Sequence, residues 1–425
     1  MKKFSYLYLI ICAIYSCLVS AQELLPQPLS LMDALSLSQD HPQVKASESI
    51  VDMAAANIDK ISSDNDLNVV FQGYLTVVEP SELSPNESNN NSKALLLARK
   101  KLYDFGYSDA QKTAAQTLFK SKKNLLLNKR QQHQLTVIAD FYDVLVADKY
   151  SSWRDETTTY AFFKYNKNQD FHEFGKVSDI ELLRTENIFR EERHLRTLAE
   201  QQQQITRIQL SDSLNRPGDL ASELLMPVVD WEKPIPLVDT ILEKALQNNP
   251  GLIAAKTAVQ AAKEELIAVN ASDNAVIHGE VMAADYRRKT GSTHPLSAGL
   301  VIEVPLYSGG KIKSDIAIAR AQLSEQQSLM RLVELSIRQT AAELYVQLNT
   351  VKDELAALKV SEDYGELYLD KNRALYELEV ASDFGDAMVR VSEVDYKKTK
   401  ALLSYALLEA KLLALQGELI LPVNR

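Results

Sequence analysis

The sequence predicts a mainly α-helical protein in which long helices pack as antiparallel pairs and short strands form β-hairpins. Three observations support this fold class. Glycine and proline number only 13 each in 425 residues, and so few helix breakers permit very long helices. The same order of elements occurs twice along the chain. Each copy contains two runs of alternating apolar and polar residues, which is the pattern of a strand with two unlike faces.

The two halves of the chain resemble each other in sequence. Four short segments of the first half recur in the second half, in the same order and at a nearly constant separation. The pairs are 41–46 with 249–254, 63–65 with 272–274, 102–106 with 306–310, and 177–179 with 381–383. Four matches in one order indicate an internal duplication. We therefore divide the chain into a first structural repeat (22–213), an inter-repeat linker (214–236), a second structural repeat (237–417) and a short C-terminal tail (418–425).

The N-terminus has the pattern of a secretory signal peptide over residues 1–21. Lys2 and Lys3 precede an apolar run, and the segment ends in small residues up to Ala21, which suit a cleavage site. Both cysteines, Cys12 and Cys17, lie inside this segment. A chain cleaved after Ala21 therefore has no thiol. The alternative is a lipoprotein that is processed and acylated at Cys17.

The first repeat begins with a capping box over 30–33, and Pro42 then stands where a helix to about residue 66 would start. Strand-like runs follow, and after them comes a long helical pattern with a shorter return helix. The predicted bounds are 67–78 and 93–103 for the strands, 108–170 for the long helix and 178–212 for the return helix.

The second repeat has the same order. Pro250 lies within a helical pattern that covers 237–273. Predicted strands over 276–286 and 296–306, a long helix over 311–378 and a return helix over 386–417 follow. At the rise of an α-helix, the long helix would measure about 100 Å. That length exceeds the helices of ordinary globular domains.

The four predicted strands suit the length that a strand needs to cross a bilayer. Four strands cannot close a barrel, since the smallest bacterial barrels use eight, so several copies of the chain would each contribute their strands. The alternative is a periplasmic coiled-coil scaffold that never inserts, with the sheet as a soluble cap. Arg99, Lys100 and Lys101 interrupt the second strand and favour that alternative.

Composition and motifs exclude several function classes. The formal charge is −10, whereas a nucleic-acid binder would carry a basic surface. Ser308-Gly309-Gly310-Lys311, with Ser272-Asp273-Asn274 and Lys289-Thr290-Gly291, matches three β-lactamase motifs, but in the wrong order along the chain. The six histidines show no metal-ligand spacing. We therefore expect no catalytic residue, no cofactor and no metal site.

Several motifs resemble the TolC family of outer-membrane efflux proteins over nearly all of residues 29–417. The segment 29–35 followed by Pro42 is similar to the family's first-helix motif, and 248–250, with Pro250, to its second copy. The segment 299–310 resembles the strand-to-helix motif and contains Pro305, Leu306, Gly309 and Gly310. The segment 175–182 resembles the family's periplasmic turn. The chain departs from the family pattern at Glu379, where the second turn usually has glycine, and at Gly385, which is an additional residue.

The resemblance implies a fold, an assembly and partners. The fold would be long antiparallel α-helical coiled-coil hairpins that form a periplasmic tunnel, joined to a trimeric twelve-stranded transmembrane β-barrel with four strands per protomer. The protein would be the outer-membrane channel subunit of a tripartite efflux or type I secretion system, a passive duct from the outer membrane into the periplasm. Its partners would be two further copies, a periplasmic adaptor (membrane-fusion) protein, an inner-membrane RND or ABC transporter and outer-membrane lipid.

Acidic residues occur at both predicted turns between long and return helices. Asp179 and Asp383 are expected to act as helix caps. Asp386 and Glu181 align with the family's tunnel-entrance acids, so the resemblance implies that they line the periplasmic mouth in a ring of three copies. Such a ring would make the resting pore selective for cations.

Overall fold

The structure is a computed structural model that describes residues 25–82, 84–378 and 383–418. The predicted signal peptide, Cys17, Glu379 and the tail after Glu418 lie outside the described residues. The described helices include two of 67 residues each. The helices are α1 (Leu31–Leu37), α2 (Pro42–Ser63), α3 (Tyr107–Glu173), α4 (Asp179–Ser213), α5 (Val238–Asn248), α6 (Pro250–Ala271), α7 (Lys311–Glu377) and α8 (Phe384–Leu415).

Helix starts follow the sequence signals closely. Ser30 caps α1 by accepting a hydrogen bond from the backbone N–H of Asp33 at 3.2 Å, as the capping box predicts. The helix expected over 237–273 is instead two helices. Asn249 has an extended backbone, and its side-chain Oδ1 accepts from the N–H of Leu252 at 3.0 Å, so a new helix starts at Pro250.

The strands are β1 (Asn68–Tyr74), β2 (Lys93–Tyr103), β3 (Val276–Tyr286) and β4 (Leu296–Glu303). They form one antiparallel sheet in the order β1-β2-β3-β4. The bounds of β2 and β3 match the sequence prediction, whereas β1 and β4 are shorter than predicted. Strand β1 ends where Tyr74 pairs with Lys93, the first residue of β2, and β4 ends where Glu303 pairs with Val276, the first residue of β3.

The described chain divides into two compact units. The helical unit contains residues 25–41, 134–233 and 350–407, and the sheet-bearing unit contains the described residues of 42–133, 234–349 and 408–418. Each unit takes segments from both predicted repeats, because α3, α7 and α8 contribute residues to both. The compact units are therefore a different division of the chain from the sequence repeats, which stay a prediction.

In the sheet-bearing unit, a hydrophobic cluster joins α5, α6 and α7. Ala245, Leu252 and Ile337 are almost fully buried there, and Leu415 at the end of α8 packs against them. The side-chain amide of Asn249 donates to the carbonyl oxygen of Leu415 at 3.0 Å. One asparagine thus caps α6 and fixes the end of α8.

The helical unit packs parts of α3, α4, α7 and α8 with the segment 214–233. Its buried side chains include Phe141 of α3, Leu210 of α4 and Leu403 of α8. Arg207 of α4 contacts both Asp148 of α3 and the backbone of the segment 214–233. Lys352 of α7 donates to the carbonyl oxygen of Lys233 in the same segment at 2.6 Å.

Among the described residues, no helix combines the length and the apolar composition that crossing a membrane as a helix requires.

Candidate functional site

The two faces of the sheet differ sharply in composition. Residues that pair directly across neighbouring strands lie on the same face, so the register assigns each side chain to a face. The apolar face contains Val69, Phe71, Ala94, Leu96, Ala98, Ile277, Val281, Ala283, Leu296, Ala298, Leu300 and Ile302, with Lys100 and Asp285. Phe71 is 71% exposed and Leu300 is 70% exposed in the single chain. An exposed apolar surface of this kind marks a contact with lipid or protein.

The opposite face is mixed and largely polar. It contains Asn68, Val70, Gln72, Tyr74, Lys93, Leu95, Leu97, Arg99, Lys101, Val276, His278, Glu280, Met282, Ala284, Tyr286, Ser297, Gly299, Val301 and Glu303. Arg99 forms an ion pair with Glu280 directly across from it. Strands that cross a bilayer in a channel alternate in this way, with apolar residues toward lipid and polar residues toward the lumen.

Two of the three cations that interrupt the β2 sequence lie off the apolar face. Arg99 and Lys101 lie on the polar face, where Lys101 Nζ is 3.5 Å from the Asp104 carboxylate and donates to Ser108 Oγ at 3.2 Å. Of the three, Lys100 alone lies on the apolar face, near the end of the strand. Of the three cations that favoured a non-inserting scaffold, only Lys100 therefore still supports that alternative.

The strand-to-helix motif is a turn between β4 and α7. Gly309 and Gly310 have φ of 63° and 85°, values that L-residues with side chains rarely adopt. Leu306 is 92% exposed, and Pro305 is exposed too. In the first half, Phe105 and Gly106 form the corresponding turn before α3, with φ of 52° and 94°. Two consecutive left-handed residues thus redirect the chain from strand to helix in both halves.

The prolines of the first-helix motif each occupy the first position of a helix. Pro42 begins α2 and is exposed, whereas Pro250 begins α6 and is buried. A proline fits this position because the first N–H groups of a helix have no partner within the helix. These prolines therefore have a structural role at the helix starts.

The first turn, between α3 and α4, places Glu181 beside a cation. Ser178, rather than Asp179, caps α4 by accepting from the N–H of Glu181 at 3.3 Å. The Glu181 carboxylate accepts two hydrogen bonds from Arg184, at 2.9 Å and 2.6 Å. These hydrogen bonds, together with the charge of Arg184, lower the pKa of Glu181. His172 Nε2 lies 2.6 Å from the Asp179 carboxylate.

At the second turn, before α8, Tyr160 of α3 contacts the acidic residues. Its hydroxyl donates to the Asp383 carboxylate, and the N–H of Asp383 donates to the side-chain oxygen of Asn372 at 3.1 Å. Asp386 lies in the first turn of α8. Burial raises the pKa of the Tyr160 hydroxyl, and the hydrogen bond to Asp383 and the charges of Asp383 and Asp386 raise it further. Glu181 and Asp386 lie in the first turns of two different helices, α4 and α8.

The additional residue Gly385 has a steric reason to be glycine. A Cβ atom at this position would lie 2.5 Å from Cδ2 and 2.8 Å from Cε2 of Tyr160. The ring of Tyr160 therefore occupies the space that a side chain at 385 would need. Sequence reasoning noticed Gly385 but not Tyr160, which no motif marks. The i, i+3 spacing of Glu181 and Arg184 could have indicated their ion pair.

We expect Gly385→Ala to displace the Tyr160 ring, to break its hydrogen bond to Asp383 and to destabilise the turn by about 1 to 2 kcal/mol. Limited proteolysis should then cut faster near residue 383 than in the wild-type protein. Gly365→Ala is the matched control, because a Cβ there meets Val391 Cγ2 only at an ordinary 3.7 Å. That change should leave cleavage equal or slower, since alanine favours a helix over glycine. Equal cleavage of both variants would show that the Tyr160 contact is dispensable.

Comparison with known proteins agrees with this architecture. Residues 241–418 match the family model "Outer membrane efflux protein". No curated protein matches the chain significantly. Among solved structures, a membrane protein from Pseudomonas aeruginosa is similar with a TM-score of 0.74 at 15% identity, covering 93% of this chain and 91% of that one.

Two further solved structures are outer membrane channels. The Campylobacter jejuni CmeC channel gives a TM-score of 0.75 at 13% identity, over 91% of this chain and 85% of that one. The open state of the Neisseria gonorrhoeae MtrE channel gives 0.70 at 16% identity, over 91% and 89%. The expected fold class is thereby confirmed: the chain has the fold of these outer membrane channels, with long helices and a small antiparallel sheet.

Proposed function

We propose that the chain is one protomer of a homotrimeric export duct, whose sheet crosses the outer membrane and whose helices continue the duct into the periplasm. One observation supports this most directly. The sheet exposes a predominantly apolar face, while its other face carries most of the charged and polar side chains. In a soluble protein, another part of the protein would have to cover the apolar face. In a bilayer, the lipid chains cover it.

The open edges of the sheet support an assembly of several copies. Strands β1 and β4 are the outermost strands in the described order, so each has one edge without a strand neighbour. Unpaired backbone groups are not tolerated in hydrocarbon, so β1 of one copy must pair with β4 of another. Four strands are too few to close on themselves. Three copies, the number that the family resemblance implies, would give twelve strands.

The partners follow from the family and stay part of the proposal. An outer-membrane duct has no energy source of its own, so an inner-membrane transporter of the RND or ABC class would drive export. A periplasmic adaptor protein would join that transporter to the helical unit, and outer-membrane lipid would contact the apolar face. Because a passive duct takes its specificity from the transporter, the substrate class is set by that transporter.

Cysteine labelling on whole cells tests the topology. The loops 75–92 and 287–295 hold each other through Arg288, which donates to the carbonyl oxygen of Asn86 at 2.9 Å. We expect both loops to face outside the cell. Cysteines introduced at the exposed positions Asn89 and Gly291 should therefore react with an impermeant maleimide on intact cells.

The control is a cysteine at Gln201, an exposed position of α4 in the proposed periplasmic part. It should react only after the outer membrane is permeabilised. If Asn89→Cys and Gly291→Cys also required permeabilisation, the proposed membrane crossing would be wrong and a periplasmic scaffold would be favoured. Assembly is read separately, as a heat-resistant trimer in the outer-membrane fraction.

A further inference from the structure

A small cavity lies within the helical unit, where α3, α4 and α8 meet. Its volume is about 310 Å³, and small aliphatic side chains at 146 and 147 form part of its wall. The remaining lining residues are Asp143, Tyr150, Gln202, Thr206 and Tyr396. Ligand pockets in proteins start at roughly 300 Å³, so the cavity suits a molecule of a few heavy atoms.

The carboxylate of Asp143 lines this cavity without a partner. Within the described residues, no hydrogen bond or ion pair engages it, and its charged neighbour on the preceding turn is another acid, Asp140. Partial burial raises the pKa of Asp143. The nearby cations are already engaged, since Arg207 pairs with Asp148 at 2.7 Å and Lys149 with Asp395 at 2.8 Å. The cavity therefore has a negative charge that the chain itself does not balance.

Aromatic rings form the other side of the cavity. The ring centroids of Tyr150 and Tyr396 are 5.2 Å apart, and Trp153 stacks on Tyr396 at 5.4 Å with an interplanar angle of 16°. The same cluster already holds one cation. The guanidinium of Arg154 lies 3.8 Å from the Trp153 ring centroid and 5.2 Å from that of Tyr150. Faces of tyrosine and tryptophan rings attract cations because their π electrons are negative.

From these contacts, we propose that the cavity binds a small organic cation with an alkylammonium group, with Asp143 balancing the charge and Tyr150 and Tyr396 packing against the alkyl groups. Gln202, which is exposed, would supply a polar contact at the mouth. Thr206, which is buried, would line the interior. A bare metal ion fits less well, since no group of three or more metal-ligating side chains occurs in the described ranges. The site goes beyond the export duct and does not depend on membrane insertion, because all its residues belong to the helical unit.

The cavity contains its own reporter. The chain has two tryptophans, Trp153 and Trp231, and in a Trp231→Phe background the fluorescence of Trp153 reports on the stacked Tyr396. The purified protein would be titrated with choline chloride. Two controls would follow at matched concentrations: 3,3-dimethylbutan-1-ol, the uncharged analogue of choline, and sodium chloride. We expect a saturable fluorescence change with choline and none with either control.

Variants assign the binding to the cavity. Asp143→Asn and Tyr396→Leu should each weaken choline binding about tenfold or more, through loss of the charge and of the aromatic surface respectively. Gln202→Phe, a substitution at an exposed position, should block the mouth without disturbing the fold. Asp170→Asn is the matched control, because Asp170 is an exposed acid on the same helix away from the cavity.

Circular dichroism would verify that each variant is folded. An equal response to choline and to its uncharged analogue would overturn the proposal. So would wild-type affinity in folded Asp143→Asn or Gln202→Phe. Failure of the cysteine-labelling experiment would leave this result unaffected, so the two proposals can fail separately.

Discussion

Arg207→Ala is expected to lower the free energy of unfolding by about 3 kcal/mol, the scale for breaking a largely buried ion pair by removing one partner. The guanidinium donates to both carboxylate oxygens of Asp148, at 2.7 Å and 3.0 Å. Its Nε donates to the carbonyl oxygen of Ala221 at 3.1 Å. The arginine side chain is only 15% exposed, so solvent screens the pair weakly. One side chain thus ties α4 to α3 and to the segment 214–233.

The measurement is thermal unfolding of the purified protein followed by circular dichroism, with Arg207→Lys and Arg196→Ala beside Arg207→Ala. Lysine keeps the charge but cannot form the two parallel hydrogen bonds of a guanidinium, so Arg207→Lys should lie between the wild type and Arg207→Ala. Arg196 is the matched control on the same helix. It pairs with Asp155 and Glu200 but is 44% exposed, and exposed ion pairs contribute about 0–1 kcal/mol. Equal melting of Arg196→Ala and Arg207→Ala would contradict the argument.

The sequence predicted the bounds of a strand best where a neighbouring strand pairs along its whole length. Strands β2 and β3 pair with each other over nearly their whole length, and their predicted bounds match the structure. The alternation of β1 continues to Val78, but its partner β2 begins at Lys93, opposite Tyr74. Alternation shows which residues can form a strand, whereas the length of the neighbouring strand determines which of them do.

The contacts at the candidate site were harder to predict, because they join distant parts of the chain. Tyr160 lies in the C-terminal part of the long helix α3, and nothing near it in sequence indicates Asp383 or Gly385. Likewise, the cavity beside Asp143 depends on Tyr396. The helical period indicates which face of α8 carries Tyr396, but not which residues of other helices it contacts. Which residues of a regular strand share a face was predictable, because strand side chains alternate. The register that joins four strands into two surfaces, with its shift between Lys101 and Tyr103, was not predicted.

In the Asp386→Asn variant, we expect half-block of the reconstituted channel to require about ten times more of a trivalent cation than in the wild type. In the proposed trimer, three copies of Asp386 would converge at the periplasmic mouth. Oxygen ligands from three chains suit a hard multivalent cation such as La³⁺, and the low-dielectric walls of a constriction concentrate their field. The measurement is single-channel conductance in planar bilayers, with the cation added from the periplasmic side. Raising the salt concentration should weaken the block of the wild-type channel through screening.

The geometry of the first turn predicts opposite results for substitutions of Glu181 and of its partner Arg184. Because Arg184 donates two hydrogen bonds to its carboxylate, the pair carries little net charge, and Glu181→Gln should leave Arg184 as an uncompensated cation. Glu181→Gln should therefore weaken the block, whereas Arg184→Gln should free the carboxylate and strengthen it. Two neighbouring substitutions with opposite signs separate an electrostatic role from a structural one, since damage to the turn would shift both in the same direction. If block and ion selectivity stay unchanged in the Asp386→Asn, Glu181→Gln double variant, these acids serve only the first turns of their helices, and the entrance assignment is wrong.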